Sequence, residues 1–185
     1  MRILLDNGHG ENTPGKRSPK WGDGSQLFEW EFNRDIVRRI AEELDNLYID
    51  YAIIVPETND ISLSERVKRE HQHYEECKGK TFLISVHANA GGGTGWEVFS
   101  SNGKTKSDEY AKIFSEEFDK GFKEWRNRGV KESNFYILKN TKGPAILTEN
   151  FFMDTEEDCR FIMSEEGRRK VTKLHVDAIK RIIKL

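Results

Sequence analysis

Cysteine is scarce in this chain. Cys77 and Cys159 stand far apart, with no CxxC pair and no metal-ligand spacing. Neither a disulfide framework nor a cysteine-based metal site is supported, and two reduced, partly buried thiols are expected. Long apolar runs are also missing: nothing approaches the ~20 residues needed to span a bilayer, so no membrane insertion is expected. Met1 leads straight into a strand-like run without a basic and apolar leader, so the chain is expected to be made in the cytoplasm without a signal peptide. Charge of one sign is lacking as well. The 30 basic and 32 acidic residues leave a net charge of −2, too little to draw the protein onto nucleic acid. There are no repeats, no low-complexity tract and no interdomain linker. The 185 residues suit a single domain spanning 1–185 with a proper core.

What is present is an alternation of strand-like and helix-like segments. Strands are expected at Arg2 to Leu5, Tyr51 to Val55, Thr81 to Val86, Trp96 to Phe99, Phe135 to Leu138 and Ala145 to Thr148. Helices are expected at Phe28 to Leu47, from Ser62 to about Cys77, Lys106 to Trp125 and Glu165 to Ile183, each with apolar residues recurring at three or four. "SLSE" at Ser62 to Glu65 has the capping-box pattern. This order predicts an α/β fold, a mainly parallel central sheet flanked by helices. The stretch from Asn7 to Gln26 has no clear structure, and its length points to a functional loop.

Three apolar runs finish in residues that bind metals or move protons: "RILLDNGHG" at His9, "TFLISVHANA" at His87 and "GPAILTEN" at Glu149. In open α/β sheets such strand ends share one rim. Two neutral imidazoles suit zinc, and a catalytic zinc takes a third protein ligand. Glu29, at the start of the first helix, lies on its apolar side, whereas Glu31 faces away. Glu149 is then placed to take a proton from water and pass it to a leaving nitrogen. The reaction class that uses all four residues is amide hydrolysis. His71, His73 and His175 are read as surface or structural residues. The glycines of "GGGTG" are read as a turn, and Lys16, Arg17 and Lys20 as a basic loop patch that could meet stem-peptide carboxylates.

The segments "LLDNGHG", "FEWEFN", "SVHANA", "RGVK" and "GPAILTEN" resemble the zinc-dependent N-acetylmuramoyl-L-alanine amidases of the Amidase_3 type, from Ile3 to the final helix. "DISLSER" resembles the family's stretch ending in arginine, here Arg66. The resemblance implies one zinc ion on His9, Glu29 and His87, with Glu149 as the catalytic glutamate. The implied substrate is peptidoglycan, cut between N-acetylmuramic acid and L-alanine by a monomer. The lack of a leader and of a wall-binding domain is similar to phage or prophage endolysins, which reach the wall by another route. The same residues would also serve a zinc peptidase or deacetylase, or a muropeptide-binding module. Asn7 stands where many members have proline, and Phe151 where many have glycine; the loop from Glu11 to Gln26 matches the family poorly.

Overall fold

The computed structural model describes residues 1–184; Leu185, the last residue of the expected domain, lies outside them. Six strands form one sheet: β1 (Arg2–Asn7), β2 (Tyr51–Ile53), β3 (Thr81–Asn89), β4 (Trp96–Ser100), β5 (Asn127–Glu132) and β6 (Ala145–Phe152). Their spatial order is β2-β1-β3-β6-β4-β5. β2, β1, β3 and β6 run parallel, and β4 and β5 are parallel to each other. β4 is antiparallel to β6, so the sheet is mixed but mostly parallel.

Among the described residues six helices accompany the sheet: α1 (Glu29–Asn46), α2 (Leu63–Glu76), α3 (Lys106–Gly121), α4 (Tyr136–Asn140), α5 (Glu156–Met163) and α6 (Glu165–Ile183). They divide unequally between its faces. Ile3 and Leu5 of β1, with Phe82, Ile84, Val86 and Ala88 of β3, pack against α1, α3, α5 and α6 in the larger core. Leu4, Leu83, Ala145 and Leu147 point the other way, onto Val67 of α2 and Ile137 and Leu138 of α4. Side chains alternate between faces along a strand. Burial on both faces explains why β3 reads as an unbroken apolar run.

Several expected elements differ. Phe135 to Leu138 is not a strand: Tyr136–Asn140 form a single helical turn whose Ile137 and Leu138 close the smaller core. A four-residue apolar run satisfies either period, and here the helix wins because α4 fills the gap beside α2. The helix from Lys106 ends at Gly121 rather than Trp125, and the chain goes on to β5, an edge strand with too few apolar residues to announce itself. Leu47 and Leu63 are half-exposed rather than buried, and α2 buries Arg66, Val67 and Glu70. Ser62 does cap α2, its hydroxyl accepting from the Glu65 N–H at 3.2 Å.

The stretch from Asn7 to Gln26 is fastened at both ends. Glu11 N–H donates to Thr58 O and Asp60 N–H to Asn12 Oδ1. Further along, Arg17 forms an antiparallel bridge with Phe28, and Ser18 and Leu27 exchange backbone and hydroxyl hydrogen bonds. Glu29 N–H donates to Lys16 O at 3.0 Å. This short ladder fixes the start of α1.

Candidate active site

Strand alternation decides what lines the cleft. Counting from Leu4, Leu83 and Leu147, the residues Asp6, Ser85, His87 and Glu149 lie on the face covered only by α2 and α4. His87 and Glu149 are neighbours in register across β3 and β6. Both strands continue past the ends expected for them, so these residues sit inside the last pairs of the ladder rather than after it. The irregularity between His87 and Asn89 ends that pairing.

His9 reaches the same point from the turn after β1. Its φ is +61°, a left-handed conformation that costs free energy for any residue with a Cβ. The flanking glycines make the turn possible. A Cβ on Gly8 would lie 2.3 Å from the His87 ring, and one on Gly10 would lie 2.0 Å from the Asp60 nitrogen. The His9 carbonyl accepts from Arg34 Nη1 at 3.0 Å. The preceding strand end is braced by Arg66, which is buried. Its guanidinium donates to Asp6 Oδ1 at 2.6 Å, Asn7 O at 2.5 Å, Ile61 O at 2.8 Å and Asp60 Oδ1 at 3.0 Å. Ser85 holds the other Asp6 oxygen at 2.5 Å.

Glu29 opens α1 and turns its carboxylate into the cleft, while Glu31 is exposed. Its Oε1 lies 3.3 Å from His9 Nε2 and 3.1 Å from His87 Nδ1, and accepts from Ala88 N–H at 3.3 Å. One ligand atom from each of His9, Glu29 and His87 falls within 4.8 Å of the others. A tetrahedral zinc with bonds of about 2.0–2.1 Å separates its ligand atoms by roughly 3.3 Å. The donor set and spacing therefore fit such an ion. Burial pushes the Glu29 carboxyl up, but hydrogen bonds from His87 and His9 more than offset it and hold it well below the usual carboxylate range. Burial lowers His87, yet the carboxylates of Glu29 and Glu149 leave it raised.

Glu149 faces the same cleft with a different character. Its Oε2 is buried without a hydrogen-bond partner. Burial, helped by the charges of Glu29 and Glu97, pushes its carboxyl up to about 7 against the pull of His87 and Lys16. One carboxylate held ionised beside one poised near neutrality is the pattern of a ligand and a proton carrier.

The cleft has a volume of about 420 Å³ and also takes in Lys16, Leu63, Phe135, Tyr136 and Leu147. The four residues singled out from the sequence thus come together at one place. The bracing by Asp6 and Ser85, and the apolar lining from Leu63, Phe135 and Tyr136, were not anticipated. A charged Asp6 inside an apolar strand was the available signal for a buried partner. The remaining histidines lie elsewhere. His71 and His73 are half-buried on α2, bonded to Asn140 O and to Arg2. His175 is buried in α6.

Residues 3–181 match the family described as N-acetylmuramoyl-L-alanine amidase. The chain belongs to that family. It is 28% identical over 189 residues to the sporulation-specific N-acetylmuramoyl-L-alanine amidase of Bacillus subtilis (strain 168), covering all of this chain and 69% of that one. It is 26% identical over 193 residues to the endolysin of Bacillus phage SPP1, covering 99% of this chain and 66% of the endolysin. The crystal structure of an amidase of the same name from Clostridium difficile 630 superimposes with a TM-score of 0.85 at 27% identity, over 99% of this chain and 96% of that one. Family membership makes the chain a hydrolase of the amidase class, in agreement with the reaction type read from its four residues. Among the described residues, no helix of this amidase is long and apolar enough to cross a membrane.

Proposed function

We propose that the protein hydrolyses the amide between the lactyl group of N-acetylmuramic acid and the L-alanine of the stem peptide, using one zinc ion held by His9, Glu29 and His87. The single observation that carries the reading is the spacing of Glu29 Oε1 from His9 Nε2 and His87 Nδ1, 3.3 and 3.1 Å, beside the unpartnered carboxyl of Glu149. Bound there, zinc supplies Lewis acidity toward the substrate carbonyl and toward water.

The chain's own residues do the rest. Glu149 accepts a proton from the attacking water, whose oxygen adds to the lactyl carbonyl carbon. The same carboxyl then delivers that proton to the alanine nitrogen as the C–N bond breaks. The products are a free lactyl carboxyl and a new amino terminus, so one water is consumed and all protons are accounted for. Glu29 stays ionised throughout, as a ligand must. The half-exposed side chains of Leu63, Phe135 and Tyr136 give the substrate an apolar wall to lie against. We read the enzyme as a monomer that acts on the cell wall.

The test is digestion of defined peptidoglycan with analysis of the fragments by mass spectrometry. Stem peptides with a new L-alanine amino terminus are expected, and a chelator should stop their release until zinc is restored. Glu149→Gln should lower the rate by at least about 10²-fold while keeping bound zinc. Release of reducing sugar ends, or a Glu149→Gln protein that still cuts, would overturn the reading.

A further inference from the structure

Two side-chain cations line the cleft besides its histidines, Lys16 and Arg66. Arg66 is fully committed to Asp6, Asp60 and backbone carbonyls. Lys16 is not. Among the described residues its ammonium makes no hydrogen bond; the nearest acid is Glu29 Oε2, at 3.9 Å. That oxygen is itself buried and without a hydrogen-bond partner. The lysine side chain is 42% exposed, so its charge is available to a ligand entering the cleft.

Its position is nevertheless fixed. Lys16 O accepts from Glu29 N–H, Arg17 bridges to Phe28, and Ser18 is laced to Leu27. The lysine is thus held beside the ligand-bearing start of α1, in the same cleft that Leu63 of α2 and Tyr136 of α4 line. Of the lining that comes with those two helices, Leu63, Phe135, Tyr136 and Ile137 are uncharged, and the one cation, Arg66, is neutralised by Asp6 and Asp60. A substrate with one charged arm and one neutral arm meets a cleft of matching polarity.

We propose that Lys16 binds a carboxylate carried by the second residue of the peptide arm, and that it sets a preference for substrates in which this carboxylate is free rather than amidated. This rests on the reading of the site as an amidase that releases the first residue's nitrogen. The Lys16 ammonium stands 3.9 Å from Glu29 Oε2, and a peptide arm leaving the scissile amide beside that ligand comes past it within about two residues, since successive α-carbons lie about 3.8 Å apart. A charge-assisted hydrogen bond there favours the carboxylate over an amide of the same shape.

The experiment compares two soluble probes, a muramoyl tripeptide with a free carboxylate on its second residue and the same compound with a carboxamide there. kcat/KM is measured with zinc-loaded wild type, Lys16→Met, Lys16→Arg and Lys16→Glu, with zinc content checked for each. Wild type should prefer the carboxylate by roughly tenfold or more, chiefly through KM. Lys16→Met should bring the ratio close to one, Lys16→Arg should keep the preference, and Lys16→Glu should invert it. A wild type indifferent to the two probes, or a Lys16→Met protein that keeps the preference, overturns the proposal and leaves the amidase reading standing. So does an equal fall on both probes, which is what a lysine acting only through Glu29 would produce. Failure of wild type to release a peptide from either probe overturns the amidase reading, and this proposal with it.

Discussion

Phe151 shows how one residue can satisfy packing at the expense of its own backbone. It lies two positions beyond Glu149 with φ at +67°, a conformation that suits glycine and costs other residues about 1–2 kcal/mol. Its ring is fully buried against Phe118, Phe122, Trp125 and Phe161. Removing such a ring costs about 3–5 kcal/mol. Alanine would lose the packing and keep the strain, whereas glycine would lose the packing and relieve the strain. Both variants should be less stable than wild type, with Phe151→Gly about 1 kcal/mol more stable than Phe151→Ala. Urea unfolding midpoints decide this, and an alanine variant at least as stable as the glycine one would contradict it. His9 carries the same strain at φ +61° without a large buried ring to offset it, and its compensation is the pair of glycines and the two arginines around the turn.

At the scale of elements, the site is held by a join between β1 and the start of α2. Arg66 is the pin, and it leaves Asp6 neither exposed nor unpaired: the two side chains are 3% and 2% exposed. Removing one partner of a buried pair costs about 3–5 kcal/mol, because the other charge remains buried. Arg66→Met should therefore destabilise by about that much. Adding Asp6→Asn should recover part of the loss, since no buried anion is then left. The double variant should sit above the sum of the single ones in a urea double-mutant cycle, and strict additivity would refute the coupling. This pin was legible in the sequence only as an arginine at the end of a family-like stretch, because nothing in spacing says that a charged residue on α2 points inward. The long periodic helices α1, α3 and α6 were legible, since each buries a stripe recurring at helical spacing. The polar edge strand β5, the acidic eight-residue α5 and the one-turn α4 were not, because tertiary contacts rather than local pattern decide them. Of the four residues that meet in the cleft, His9, His87 and Glu149 were readable as polar residues closing apolar runs, and Glu29 from its place on the apolar side of the first helix. The anchoring of Lys16 was not, since it depends on a ladder between Lys16–Ser18 and Leu27–Glu29 that no periodicity announces.

Across the whole molecule, two buried groups on neighbouring positions of β6 and α6 set opposing responses to acid. His175 is fully buried; its Nδ1–H donates to Val171 O at 2.8 Å, so its Nε2 accepts from the Thr148 hydroxyl at 3.0 Å. Burial lowers its pKa to about 4, below the 6.5 of an exposed imidazole. The unfolded chain therefore takes up the proton first as pH falls, and stability is lost between pH 6.5 and about 4. Glu149 acts in reverse. Its carboxyl, raised by burial to about 7 from an ordinary 4.5, binds its proton first in the folded state, so stability rises as pH falls from about 7 toward 4.5. Each displacement is worth about 3 kcal/mol, and in zinc-free wild type the two oppose one another. The depressed carboxylates act lower: glutamates such as Glu97 begin to lose their stabilising effect near their ordinary 4.5, and half-buried Asp35, held by Arg168, Arg38 and Arg39 down to about 2, does so below its ordinary 3.8, so the range from pH 6.5 to 5 is left to the two groups. Removing either group should expose the other. Zinc-free Glu149→Gln should lose about 2 kcal/mol between pH 6.5 and 5, zinc-free His175→Gln should gain over the same range, and the double variant should be nearly flat there. Urea unfolding at half-unit steps of pH measures all three; a Glu149→Gln protein as acid-tolerant as wild type would show that the Glu149 carboxyl is not raised in the fold, and a His175→Gln protein that gains nothing would show that His175 is not kept neutral by the packing of α6 on the sheet.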